Sequence, residues 1–502
     1  MASVNCIPLF IYLLVFTCTR CSFATETTKS PKEHARKLIR ELNLLTKHDS
    51  KIIAGNSVLK QTEPRIIEKR LVLSPLGDAG STVQDLAQHA GYYQLPYSRD
   101  ARMFYFFFES RSSKDDPVVI WLTGGPGCAS EIALFNENGP FNILENMTLK
   151  WNDFGWDKVS NIIFVDQPIG TGFSYSSFED DTPTDEEGIG NDLYDFLQAF
   201  FEEHPDYTKN DFYITGESYA GHYIPAFASR VHKGNNRGEG IHINLKGFAI
   251  GNGLTDPAIQ YNAYKDYALD MKLINQSDAE LLKPAVSECL QFIGRCGPDG
   301  GQPCRDAFHE CSGMVQEIVA LAGGMDVYDI RKKSPPSIPD FSNVEKFLNL
   351  EPVRAALGVG DIKFKACNGE VYRKLITDWM QNLEEDIPNL LEDGIRVLIY
   401  AGEYDFICNW LGNSRWVHAM EWSGQTQFAA APMVPFTVDG VVAGLAKSYG
   451  PLTFLKVHDA GHMVPKDQPK ASLEMLLKWM QSKLPSIQRE SRLDDKQFNP
   501  TT

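Results

Sequence analysis

Residues 211–226 read DFYITGESYAGHYIPA. The apolar run Phe212-Tyr213-Ile214 suits a strand buried on both faces, and Gly216 marks a tight turn just after it. Ser218 follows, then Ala220 and Gly221, small enough to start a helix in a crowded corner. A strand, a sharp turn carrying a serine and a helix make a nucleophile elbow, which lifts the hydroxyl clear of its backbone at the end of a sheet. Small neighbours are needed because so sharp a turn leaves no room for side chains. The string departs from Gly-x-Ser-x-Gly at its last position, where Ala220 stands and Gly221 comes one step later.

A serine hydroxyl is a weak nucleophile until a base takes its proton and a carboxylate orients that base. Behind an elbow of this kind the chain order is serine, acid, histidine. The strand-like run Arg396–Tyr400 leads into AGEYDF and places Asp405 on a loop. The run Thr453–Val457 leads into HDAGHMVP and places His462 on another. Reactive groups in open α/β sheets gather beyond the carboxyl ends of the strands, so all three residues are expected at one rim. A further run, Val118–Leu122, is followed by TGGPGCAS. Its glycines let backbone N–H groups face a reacting carbonyl, and the oxyanion donors are read as the amides of Gly125 and Tyr219. His458 and His462 stand four apart, but Gly461 and Pro465 argue against a helix that would aim both at one metal. No third ligand is found, and neither metal nor cofactor is expected.

Five strings, WLTGGPGC, VDQPIGTGFSY, GESYAGHYIP, YAGEYDFICNW and AGHMVP, occur in this order. Together they resemble the serine carboxypeptidases, most closely the plant and fungal acidic ones, over roughly residues 85 to 485. The resemblance implies an α/β-hydrolase fold, a mostly parallel sheet flanked by helices, with a disulfide-bearing insertion over the site. It also implies removal of single residues from peptide C-termini through an acyl-enzyme. In that family a glutamate beside the nucleophile and a polar side chain of the Gly-rich turn hold the substrate's terminal carboxylate. Glu217 matches the first, and Thr123, with the amide of Gly124 beside it, stands where many members carry Asn. Two carboxylates share a hydrogen bond only when one keeps its proton, so Glu217 is expected to bind peptide protonated and best at acid pH. Cys408 and Met463 are candidates for the substrate pocket, with Ile407, Trp410 and Tyr175 as further candidates. Plant relatives that transfer acyl groups from sugar esters resemble GDSYSG at the elbow, whereas this chain keeps Glu217. A catalytically silent relative is disfavoured by the intact Ser218, Asp405 and His462.

The chain has 502 residues and a formal charge of −17, which argues against nucleic acid as a partner. Residues 1–24 read as a signal peptide around the apolar run Ile7–Phe16, too short to span a bilayer. No later segment suits a membrane span. Residues 25–80 carry eleven Lys or Arg against seven Asp or Glu and read as a basic propeptide, an intramolecular partner of the acidic body. Residues 81–253 form the first part of the hydrolase core, 254–335 a cap insertion, 336–486 the second part of the core and 487–502 a polar tail. Vacuole and extracellular space both suit such an acid hydrolase.

Of ten cysteines, Cys6, Cys18 and Cys21 fall in the signal region. Four cluster at Cys289, Cys296, Cys304 and Cys311, with spacings unlike zinc knuckles. The resemblance implies the pairs Cys289–Cys311, Cys296–Cys304 and Cys128–Cys367, leaving Cys408 a free thiol near the site. Relatives often carry two cysteines after DIRK, but DIRKKSPPSIPDF has none, and Lys332-Lys333 offers a processing point. Asn146 and Asn275 head glycosylation sequons.

Overall fold

The structure, a computed structural model, describes residues 66–70, 88–297, 300–333 and 339–484. The signal segment, most of the segment expected as the propeptide and the polar tail lie outside the described residues. The main sheet has eleven strands among the described residues. In chain order they are β1 (Ile66–Arg70), β2 (Gln88–Gln94), β3 (Arg102–Phe108), β4 (Val118–Thr123), β7 (Asn161–Val165), β8 (Phe212–Glu217), β9 (Leu245–Gly251), β10 (Arg396–Gly402), β11 (Val434–Val438), β12 (Val441–Tyr449) and β13 (Leu452–Val457). The intervening β5 (Phe141–Ile143) and β6 (Leu149–Trp151) pair with each other in a separate ribbon.

Across the sheet the order is β1-β2-β3-β7-β4-β8-β9-β10-β13-β12-β11. The six strands from β7 to β13 run parallel, and the strands outside them are antiparallel. Parallel strands need helical crossovers, which cover both faces and explain the unbroken apolar runs in the sequence. In β4, Val118, Ile120 and Leu122 pack with residues of helices Glu186–Glu203 and Ala220–Arg237. Val119 and Trp121 point the other way, toward residues of helices Glu131–Asn136 and Pro469–Met480. Trp121 meets Trp156 edge to face at 5.2 Å between ring centroids, with both residues fully buried.

Between β9 and β10 the described chain is helical, and its helices continue as far as Glu392, beyond the cap boundary expected at 335. Helices Lys283–Ile293 and Gln302–Leu321 pack together. The disulfides Cys289–Cys311 and Cys296–Cys304 staple this pair, and Cys128–Cys367 ties the Gly-rich turn after β4 to the insertion. No described helix is long and apolar enough to cross a membrane. β1 falls inside the segment expected as the propeptide, yet it pairs with β2 in the main sheet.

Cys128 and Cys367 are 239 residues apart in sequence, so their bond removes much freedom from the unfolded chain. Replacing both by serine is expected to cost about 2–5 kcal/mol of stability, read as a lowered midpoint in denaturant.

Candidate active site

β8 ends at Glu217, and the next residue, Ser218, takes a left-handed backbone with φ of 67°. A non-glycine residue held there costs about 1–3 kcal/mol, so the surroundings must over-determine it. Three hydrogen bonds do so. The Ser218 amide donates to the Gly251 carbonyl, and the amides of Gly221 and Leu254 donate to the Ser218 carbonyl, each at 3.0 Å. A Cβ on Gly216 would meet the Leu122 carbonyl oxygen at 2.2 Å, and one on Gly221 would meet the Leu254 oxygen at 2.4 Å. The small residues flanking the serine are therefore required by backbone crowding. Helix Ala220–Arg237 starts immediately after, so its positive end faces the elbow.

Asp405 follows β10 and His462 follows β13, so three parallel strands, β8, β10 and β13, with β9 between the first two, deliver Ser218, Asp405 and His462 to one rim. Asp405 is fully buried, and its Oδ2 accepts from His462 Nδ1 at 2.9 Å. A carboxylate can only accept here, so Nδ1 carries the proton and Nε2 is left as the basic nitrogen. The side-chain amide of Asn252, just beyond β9, donates to the same Oδ2 at 2.8 Å. The His462 backbone amide donates to the Tyr328 carbonyl at 2.7 Å, and the Phe406 amide donates to the Val327 carbonyl at 3.1 Å. The loops that carry Asp405 and His462 are thus fastened to the insertion.

The Gly-rich turn lies against the elbow because β4 and β8 pair with Thr123 opposite Glu217. A Cβ on Gly124 would reach the Tyr219 nitrogen at 2.3 Å, and Gly125 has φ of 108°. The amides of Gly125 and Tyr219 therefore sit in adjoining backbone. Thr123 Oγ1 accepts from the Trp121 indole at 3.0 Å, which leaves its hydroxyl proton free to donate elsewhere.

Glu217 is buried beneath this turn, beside Glu137, a residue sequence reasoning missed. Burial, then the charge of Glu137, pushes Glu217 well above the usual carboxylate range, and burial lifts Glu137 to about 7. Their contact is a hydrogen bond only while one of them keeps a proton. Glu137 sits in NENG, which reads as a surface turn, and no local signal marks it. Asn252, in GNGL, was hidden in the same way.

The remaining candidates divide. Cys408 is a buried free thiol, and its sulfur and ligand atoms of Asp405 and His462 all lie within 4.8 Å of one another. Burial and the nearby Asp405 push this thiol well above its usual range, so it is held as a thiol rather than a metal-binding thiolate. Met463 is half-buried beside His462. Trp410 is engaged by Lys456, whose Nζ lies 4.8 Å from its ring centre. Tyr175 packs on Tyr92 at the β2–β3 end, with 5.6 Å between ring centroids. Asn146 and Asn275 are exposed, and Asn275 caps the helix Gln276–Leu281.

The family model described as "Peptidase_S10: Serine carboxypeptidase" matches residues 79–482. The chain belongs to the serine carboxypeptidase family. Members are serine-type hydrolases that release C-terminal residues from peptides. Serine carboxypeptidase 3 of Oryza sativa subsp. japonica is 58% identical over 484 residues, covering 96% of each chain. Serine carboxypeptidase-like 49 of Arabidopsis thaliana is 61% identical, covering 91% of this chain and 90% of that protein. Among solved structures, the prohormone-processing carboxypeptidase Kex1 of Saccharomyces cerevisiae superposes with a TM-score of 0.73 at 27% identity, covering 82% of this chain and 95% of that one. The disulfides are consistent with the secretory pathway.

The acid pair links stability to pH. A carboxyl raised in the folded state binds more protons there than in the unfolded chain, so stability is highest at low pH and falls as pH climbs through the window between the two values. For Glu137 that window runs from 4.5 to about 7. Glu137→Gln, which pairs with Glu217 without a shared proton, is expected to flatten the loss of thermal midpoint across this window. An unchanged slope would show that the pair does not control it.

Proposed function

We propose that this chain acts as a secretory-pathway exopeptidase at acid pH, with Ser218 as nucleophile, His462 as base and Asp405 as its orienting acid. His462 Nε2 takes the Ser218 proton as the hydroxyl oxygen attacks the last peptide carbonyl. The amides of Gly125 and Tyr219 hold the tetrahedral oxyanion, each donor contributing roughly 3–4 kcal/mol in sites of this kind. The imidazolium, stabilised by Asp405, returns the proton to the departing amino group, and the C–N bond breaks. Water then attacks the acyl-enzyme by the same route and frees Ser218.

The observation that carries the exopeptidase reading is the buried Glu137–Glu217 pair beside the elbow. A triad alone suits many hydrolases, but a retained carboxyl proton next to the scissile bond suits a substrate ending in a carboxylate. In this reading the Thr123 hydroxyl, the Gly124 amide and protonated Glu217 hold that carboxylate, while Cys408 and Met463 border the pocket. Vacuole or extracellular space would supply the acidity. Residues 25–80 would be removed as a propeptide, and Asn146 and Asn275 would carry glycans.

Ser218→Ala is expected to abolish turnover with the fold intact, measured on a blocked dipeptide and by circular dichroism. Thr123→Ala is expected to lower kcat/KM for a free-acid peptide about 10- to 100-fold while sparing the corresponding amide. For the free acid, KM should rise with pH through the window set by the acid pair, and the amide should lack that rise. Identical profiles for acid and amide would refute the assignment of Glu217 and Thr123.

A further inference from the structure

β1 adds five residues to the outer edge of the sheet, antiparallel to β2, with Ile66 opposite Tyr93, Glu68 opposite Gly91 and Arg70 opposite His89. Ile66 is buried in the core, while Lys69 and Arg70 are exposed. The family model begins only at residue 79, so β1 lies before the stretch that it matches.

Two features of the body are shaped to receive this strand. Gly91 is the first. Its backbone needs no left-handed angle, yet an added Cβ would meet the Ile67 carbonyl oxygen at 2.3 Å and the Glu68 Cα at 2.7 Å. The three nearest atoms all belong to β1. Glycine weakens a strand interior, and it is expected where another backbone approaches closely. The second is a seat for one side chain. Glu68 accepts from Tyr105 Oη of β3 at 2.5 Å and meets His204 Nε2, just past helix Glu186–Glu203, at 2.8 Å. His89 Nδ1 of β2 lies against its other oxygen. The two imidazoles stand edge to face at 5.4 Å, with Phe107 packed against both. Burial opposes the charge on Glu68, but hydrogen bonds from His204, His89 and Tyr105 outweigh it and hold the carboxyl at about 2. Glu203 also acts on Tyr105 at this seat.

We propose that the edge of β2, with the carboxylate seat made by His89, His204 and Tyr105, is the docking site of the chain's own amino-terminal leader, which adds Ile66–Arg70 by strand augmentation and is gripped more tightly as pH falls. Main-chain bonds give such a strand its affinity, and Glu68 fixes its register. Glu68 stays anionic through the physiological range, whereas imidazoles gain their charge as pH drops through theirs. A protonated imidazole pairs with a carboxylate more strongly than a neutral one, so acid favours the clasp. Four strands, β2, β3, β7 and β4, separate β1 from the elbow strand β8, so this clasp holds Ile66–Arg70 at the far edge of the sheet. Acidification alone then retains Ile66–Arg70, and its departure requires chain cleavage beyond residue 70 and release of the strand from β2.

Hydrogen exchange on the full-length secreted chain tests this at about pH 5 and about pH 8, with intrinsic exchange rates divided out. Residues 66–70 of the wild type are expected to be protected in acid and to lose about tenfold of that protection at the higher pH. Glu68→Gln, on the leader itself, should exchange faster in acid and show no such pH response. Gly91→Val should expose 66–70 at both pH values while β8 stays protected, which certifies the fold. Wild-type exchange at free-peptide rates, or a Glu68→Gln chain with the wild-type pH response, would overturn the proposal. The readout needs no turnover, so its failure is distinct from any failure of the peptidase reading.

Discussion

The parallel pairing of β4 with β8, with Thr123 opposite Glu217, is the constraint on which the site rests. It sets the Gly-rich turn against the elbow so closely that Gly124 has no space for a Cβ beside the Tyr219 nitrogen. The two proposed oxyanion amides, the carboxylate-binding hydroxyl and the buried acid all descend from that one register. A slip of one residue would reverse the faces of β8 and bury the wrong side chains. β4 and β8 are buried on both faces almost throughout, which removes any alternative that would leave one face wet.

Acidity is written into the interior as well as the surface. Glu137 and Glu217 share the site, and two more buried acid pairs occupy the scaffold. Glu131 lies with Asp166, the former pushed well up and the latter to about 6, with burial the leading cause in both. Glu186 is raised by burial and then by Asp378. Each pair is satisfied by a retained proton, which rising pH tends to remove. The arrangement costs little in acid and becomes progressively unfavourable above it.

Much of this molecule was legible because its chemistry is local. The elbow needs small residues within a few positions of Ser218, and the inner strands need unbroken apolar runs, so both left marks in the sequence. The edges left fewer. β11 and β12 are only partly buried, and β2 reads QHAGYYQ, with polar ends and a central glycine. Ile66–Arg70 looked like part of a basic leader because its partner strand cannot be inferred from its composition. Glu137 and Asn252 were invisible for a related reason: their neighbours Glu217 and Asp405 are 80 and 153 residues away in the chain. A carboxyl in a turn-like string gives no sign that folding will bury it.

The fastening of the Asp405 and His462 loops to the insertion bears on whether the backbone must be continuous. A break between Lys332 and Lys333 would leave β1 to β9 with Ser218 on one piece and β10 to β13 with Asp405 and His462 on the other. The pieces would still share the β9–β10 ladder and the Cys128–Cys367 bridge. Tyr328, on the first piece, would still hold the His462 amide of the second. Such a molecule would be a two-chain enzyme in covalent terms and a single folded body in mechanical ones.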